Sequence, residues 1–204
     1  NTGGGNLVFN GGSGTNRAIL EVTSAGGDIY RSVGTGIDQI QWLGNGGFSN
    51  QTANTTRIVN LGGAGATLTW GSGGFVPTGS RLQLGQGGAN VAAAGTIDFQ
   101  NGINFGTAVR TLDIGNGSAI VDAILSGNLT FGAGGGFTMT TGLGALSLTG
   151  TNNTGSVPVT VTGGTLYFAN ANAVICASGT VTVTYGTSAP AAIGMGGATN
   201  PLLF

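Results

Sequence analysis

The sequence predicts an all-β protein built as a single-stranded parallel β-solenoid of about six coils. Three observations lead there. First, the 204 residues include 44 Gly, only 5% charged residues and 40% hydrophobic ones. So much Gly opposes long helices, and the many Val, Ile and Thr favour strands. Second, a short strand ending in an aromatic residue recurs as NLVF (6–9), QIQW (39–42), TLTW (67–70), TIDF (96–99), NLTF (128–131) and TLYF (165–168). Third, segment 66–88 resembles segment 95–117, with Thr67, Trp70, Val76 and Arg81 each 29 residues before Thr96, Phe99, Phe105 and Arg110.

The aromatic positions Phe9, Trp42, Trp70, Phe99, Phe131 and Phe168 are spaced by 33, 28, 29, 32 and 37 residues. Periods of that size, with alternating strands and Gly/Asn-rich corners, are the signature of stacked coils. One coil cannot bury its own apolar face, whereas a stack can. Alternation then predicts one ladder of Leu68, Ile97, Leu129 and Leu166, and an aromatic ladder through the six positions above. A second strand follows most of the first: RAILEV (17–22), RIVNLGG (57–63), RLQLGQGG (81–88), RTLDIGNG (110–117) and ALSLTG (145–150). Four of these open with Arg, so Arg17, Arg57, Arg81 and Arg110 are expected as an edge ladder, with a glycan-binding stripe as the sharper alternative. The uneven spacings place surface loops at 10–16 and 46–55. The repeat domain is expected over 1–185, with 186–204 as a tail or last partial coil docking on a neighbour.

The chemistry that the composition excludes is extensive. Without His there is no Ser-His-Asp triad and no His-ligated metal; without Lys there is no Schiff base and no P-loop. No cofactor is implied. Asp98 and Asp113 fall in one coil, but alternation points both outward as isolated solvated acids, so paired-carboxylate glycoside hydrolysis is not expected. GGAGATLTW (62–70) carries Thr67 where a calcium-binding nonapeptide needs Asp. Thr-x-Thr recurs as TLT (67–69), TMT (138–140), TVT (160–162) and TVTVT (180–184). Flat Thr ladders on solenoids bind ice, but that requires one constant spacing on one side. These motifs read as irregularly spaced strand filler. Cys176 is the single cysteine and is expected as a small buried apolar residue. Five Arg against six acids make no basic patch for nucleic acid, and no apolar run is long enough for a membrane helix.

The segment GLGALSLTGTNNTGSVPVTVTGGTLYF (142–168) resembles the autotransporter-associated β-strand repeat. Gly142, Gly144, Leu146, Leu148, Gly150, Asn152, Gly155, Val161, Gly164 and Leu166 carry the match, while Thr154 replaces the usual Tyr and Pro158 interrupts the next strand. The resemblance implies a right-handed parallel β-helix displayed outside a bacterial cell. Such proteins serve as stalks, matrix components or adhesins and share no active site. Asn1-Thr2-Gly3 opens directly into repeat-like sequence, so the chain reads as a processed product or as part of a longer repeat protein. Neither end shows a polar cap. Stacking of copies through Leu7, Phe9, Val181, Val183, Leu202, Leu203 and Phe204 is therefore expected, or continuation by further repeats. The expected function is a structural surface stalk or filament rather than an enzyme, with an adhesin binding glycans or host surfaces through side loops as the alternative.

Overall fold

The computed structural model describes residues 5–12, 18–63, 65–86, 95–140, 143–155, 157–173, 180–184 and 190–195. The chain winds through three faces in turn. It forms β1 (Leu7–Phe9), β2 (Ile19–Val22) and β3 (Ile29–Arg31), then β4 (Ile40–Trp42), β5 (Gly46–Asn50) and β6 (Thr56–Leu61). Next come β7 (Thr67–Thr69), β8 (Arg81–Gly85) and β9 (Thr96–Phe99), followed by β10 (Gly102–Asn104), β11 (Val109–Gly115) and β12 (Ala123–Leu125). The remainder is β13 (Leu129–Thr130), β14 (Gly136–Thr140), β15 (Ala145–Leu148), β16 (Val159–Val161), β17 (Gly164–Phe168), β18 (Val181–Val183) and β19 (Ala191–Met195). Among the described residues the only helical element is a 3-10 turn at Ala171–Ala173.

Every pairing between these strands is parallel, as a stacked solenoid requires. A first long sheet runs β2-β5-β8-β11-β14-β16-β18, and a second runs β3-β6-β9-β12-β15-β17-β19. The third face is broken into β1-β4 and β7-β10-β13. Between these two pieces the far edge of β4 is met by loop backbone. Ile40 N donates to Ser32 O at 2.9 Å and Trp42 N to Gly74 O at 2.8 Å. β19 belongs to the second long sheet, so that sheet continues past residue 185.

Alternation sends Leu82, Leu112, Met139 and Val161 into the core from the first long sheet, and Val59, Phe99, Leu125, Leu148 and Phe168 from the second; all are fully buried. Close stacking depends on glycine at specific points. A Cβ on Gly47 would stand 1.7 Å from the Gln83 carbonyl oxygen, so no other residue lets β5 approach β8 this closely. Gly85 turns the chain at the end of β8 with φ +74°, a left-handed conformation that favours glycine.

Several expectations need correction. The look-alike strands do not share a face: TLTW lies on the broken face, whereas TIDF and TLYF lie in the second long sheet. Thr67 pairs with Gly102 and Leu68 with Ile103, so the 29-residue self-similarity is not the stacking register. The predicted aromatic ladder of Phe9, Trp42, Trp70, Phe99, Phe131 and Phe168 is therefore split. Phe99 and Phe168 lie on the second long sheet, with Leu125 and Leu148 between them in register. A different aromatic column fills the core along the broken face. Phe9 meets Trp42 (ring centroids 4.9 Å apart), Trp42 meets Phe75 (5.2 Å), Phe75 meets Trp70 (5.9 Å), Trp70 stacks on Phe105 (5.4 Å), and Phe105 on Phe131 (4.6 Å). Phe75 comes from the loop before β8, where no periodic pattern points to it. Finally, residues 46–50 are not a loop: they form β5, buried along its whole length, and the loop is confined to 51–55.

Candidate functional site

Three places could carry function: the acids, the arginine-bearing corners, and the outer faces and end edges of the sheets.

The acids are held structurally. Asp98 lies on the outer face of the second long sheet, where it accepts from Ser126 Oγ and, at 3.3 Å, from Gln100 Nε2. Asp113 faces away from the core on the first long sheet. The expectation of a solvated acid fails for it: it is 2% exposed and accepts a 2.9 Å hydrogen bond from Gln83 Nε2. The two carboxylates thus occupy different sheets. Asp122 sits buried at a corner and accepts from Gly117 N at 2.6 Å and Ala145 N at 2.8 Å, tying its own turn to the next coil. Burial raises its pKa above the ordinary carboxylate value, and the two backbone donors only partly offset this. Among the described residues, no three acids or cysteines come close enough to hold a metal ion.

The arginines do not form the predicted ladder. Arg57 stands opposite Ile97, Arg81 opposite Thr111, and Arg110 opposite Phe137; Arg17 lies outside the described residues. Corners of unequal length displace each Arg from the register of the next. Each instead serves its own corner. Arg57 Nη2 donates to Ser24 O at 3.4 Å. Arg110 Nε donates to Phe105 O at 3.0 Å, with its guanidinium carbon 5.9 Å from the centre of the Trp70 ring. Arg31 donates to Gly5 O and lies 3.9 Å from Asp38.

Asparagines at the corners are the polar feature that pattern reading missed. Asn101 is fully buried; its Oδ1 accepts from Leu61 N at 2.6 Å, and its Nδ2 donates to Leu61 O and Ala66 O. Asn45 accepts from Arg81 N and donates to Gly12 O, while Asn153 accepts from Leu129 N and donates to Ala173 O. Each staples neighbouring coils. The available signal was Asn beside Gly just outside a strand, as in NGG (45–47) and QNG (100–102).

At the ends, the terminal strands are bonded on one side. Val159 N donates to Thr180 O and Thr184 N to Val161 O, which turns the backbone groups of Val181 and Val183 toward the free edge of β18. Val183 is 45% exposed. At the opposite end, Gly47 N donates to Ala18 O and Gln51 N to Val22 O, so Ile19 and Glu21 present the free edge of β2. Leu7 and Phe9 pack into the core at that end, and Leu202, Leu203 and Phe204 lie outside the described residues, as does Cys176.

The Thr-x-Thr motifs divide. TLT (67–69) is on the broken face, but Thr138, Thr160 and Thr182 are in direct register on the first long sheet. Their spacing is constant at 22 residues, which corrects the expectation of irregularity.

No family model, curated protein or solved structure matches the chain.

Proposed function

We propose that the chain is a structural element of an extracellular bacterial surface, a right-handed parallel β-helix of about six coils acting as a stiff stalk or stacking end to end into a filament. The observation that carries this reading is the pair of seven-stranded parallel sheets, each with a terminal strand bonded on one side only among the described residues. Free parallel edges template further strands, whether from additional repeats or from another copy. Six to seven rungs at about 4.8 Å give a stack of about 30 Å. The acids and arginines support the reading in the negative sense that each described one has a local structural partner or neighbour rather than a shared cleft.

Electron microscopy of the purified chain tests it, with Val183→Pro as the comparison. Pro at 183 removes a donor only from the free edge and leaves the bonds to β16 intact. Fibres with an axial repeat near 30 Å that vanish in the variant support the filament form, and isolated short rods in both support the stalk. Globular particles without a rod axis overturn both.

A second reading, adhesion through side loops, is favoured by one observation. Tyr30, Ile37 and Leu43 are 64%, 76% and 55% exposed around the first two turns. Retention on a glycan array that is lost on Tyr30→Ala and Ile37→Ser would establish it, and no retention on any glycan would remove it.

A further inference from the structure

The first long sheet carries a two-dimensional threonine lattice on its outer face. In β14, β16 and β18, the residues Thr138, Thr160 and Thr182 are partners in direct register, and Thr111 of β11 continues the column. One strand position on, Thr140, Thr162 and Thr184 form a second column; Thr162 N donates to Met139 O and Thr184 N to Val161 O, the same bond repeated from rung to rung. Between the two columns Met139 and Val161 point into the core and are fully buried, which anchors each rung from beneath. The Thr side chains are half-buried at 111, 138, 140, 160 and 162 and exposed at 182 and 184, as expected of side chains standing shoulder to shoulder on an open face.

The lattice has fixed dimensions. Rungs lie about 4.8 Å apart, and alternate residues of a strand about 6.7 Å apart. These two repeats run at right angles and lie close to those of a prism plane of hexagonal ice. Each Thr offers one hydroxyl that donates and accepts, and one methyl group that water cages without bonding. Stacked β-branched side chains have restricted rotamers, so waters held here meet a surface already ordered. Charge would orient water radially and break such order, and the sequence carries no charged residue after Asp122. The lattice ends where charge begins: Arg81 heads the first column opposite Thr111, and Asp113 heads the second opposite Thr140.

We propose that this face binds ice, its three Thr-x-Thr rungs presenting hydroxyls and methyls in register with the prism plane. The inference stands independently of the stalk or filament reading, because it needs only three neighbouring rungs of one sheet.

The test is the uptake of the 204-residue chain into a slowly growing ice crystal, together with the shape of the crystal. Wild type is expected to enter the ice and facet it. Thr160→Lys, at the centre of the lattice, and Thr182→Lys, on its exposed last rung, are expected to fall to the background of a non-binding protein. Thr165→Lys, outward on the second long sheet, is expected to bind as wild type. Circular dichroism and the melting temperature establish that each variant is folded; if Thr160→Lys is not, Thr182→Lys decides. Absence of wild-type uptake overturns the proposal, as does uptake unchanged in both lattice variants. Retention on crystalline cellulose or chitin without ice uptake, lost in the lattice variants, would make the face a polysaccharide platform and overturn it equally.

Discussion

The first turns of the stack and the last are built by different means. Along the first long sheet, Phe48 and its register partner Leu84 are 36 residues apart, whereas Met139 and Val161 are 22 apart, as are Val161 and Val183. The early turns spend the extra length on loops that carry charge and aromatic side chains. Arg31, Asp38, Arg57, Phe75 and Arg81 all lie there, and loop-borne Phe75 fills the core between Trp42 and Trp70. The late turns have no charge and small aliphatic columns. Short corners leave little room for insertion, so strands repeat in strict register. The difference teaches that irregular coils recruit core from their loops, while regular coils gain an ordered outer face.

The sharpest way to break this comparison is to truncate one core residue in each region. Phe105 is fully buried between Trp70 and Phe131, and Phe105→Ala should cost about 3–5 kcal/mol in urea unfolding. Val161→Ala, in an aliphatic column, should cost about 2 kcal/mol. Equal costs would mean that the aromatic column is not the main support of the early turns. The staples give the next contrast. Asn101→Ala leaves both backbone groups of Leu61 and the carbonyl of Ala66 without that partner in a buried corner, and should cost about 3 kcal/mol. Asn153→Ala, in a half-buried late corner, should cost about 1 kcal/mol.

The smallest effect is titration at the boundary between the regions. The pKa of native Asp122 lies above its unfolded value, so the folded state holds that proton more tightly. Its contribution is complete below the unfolded pKa of about 3.9 and is lost as pH rises through the raised native value. Wild type should therefore lose stability over that interval relative to Asp122→Asn, measured by denaturation at a series of pH values. A difference between the two that stays flat with pH would show that the carboxyl does not titrate in the folded corner.

Much of the fold was legible. The strands TLTW, RLQLG, TIDF, RTLDIG, ALSL and TLYF all form, because alternation of β-branched and apolar residues is a local property. Their neighbours were not legible. TLTW and TIDF look alike since each is a short strand closing on an aromatic residue, yet they occupy different faces of the stack. GGFSN was read as a loop because glycine usually breaks strands, whereas Gly47 is required there by the closeness of Gln83. Asp113 was read as solvated because alternation says which way a side chain points but not what packs over it.

The sequence by itself determined the class of structure: parallel strands, glycine corners, an apolar interior, and no side-chain set for His- or Lys-based chemistry. Those follow from composition and from a period-two pattern that each strand carries alone. Only the tertiary structure decided which residues share a column. Register is fixed by the length and geometry of every corner, and a corner longer by one residue shifts the partner of every side chain in the next strand. That is why four similar arginines fail to stack, while three Thr-x-Thr motifs, separated by corners of equal length, come together as a lattice.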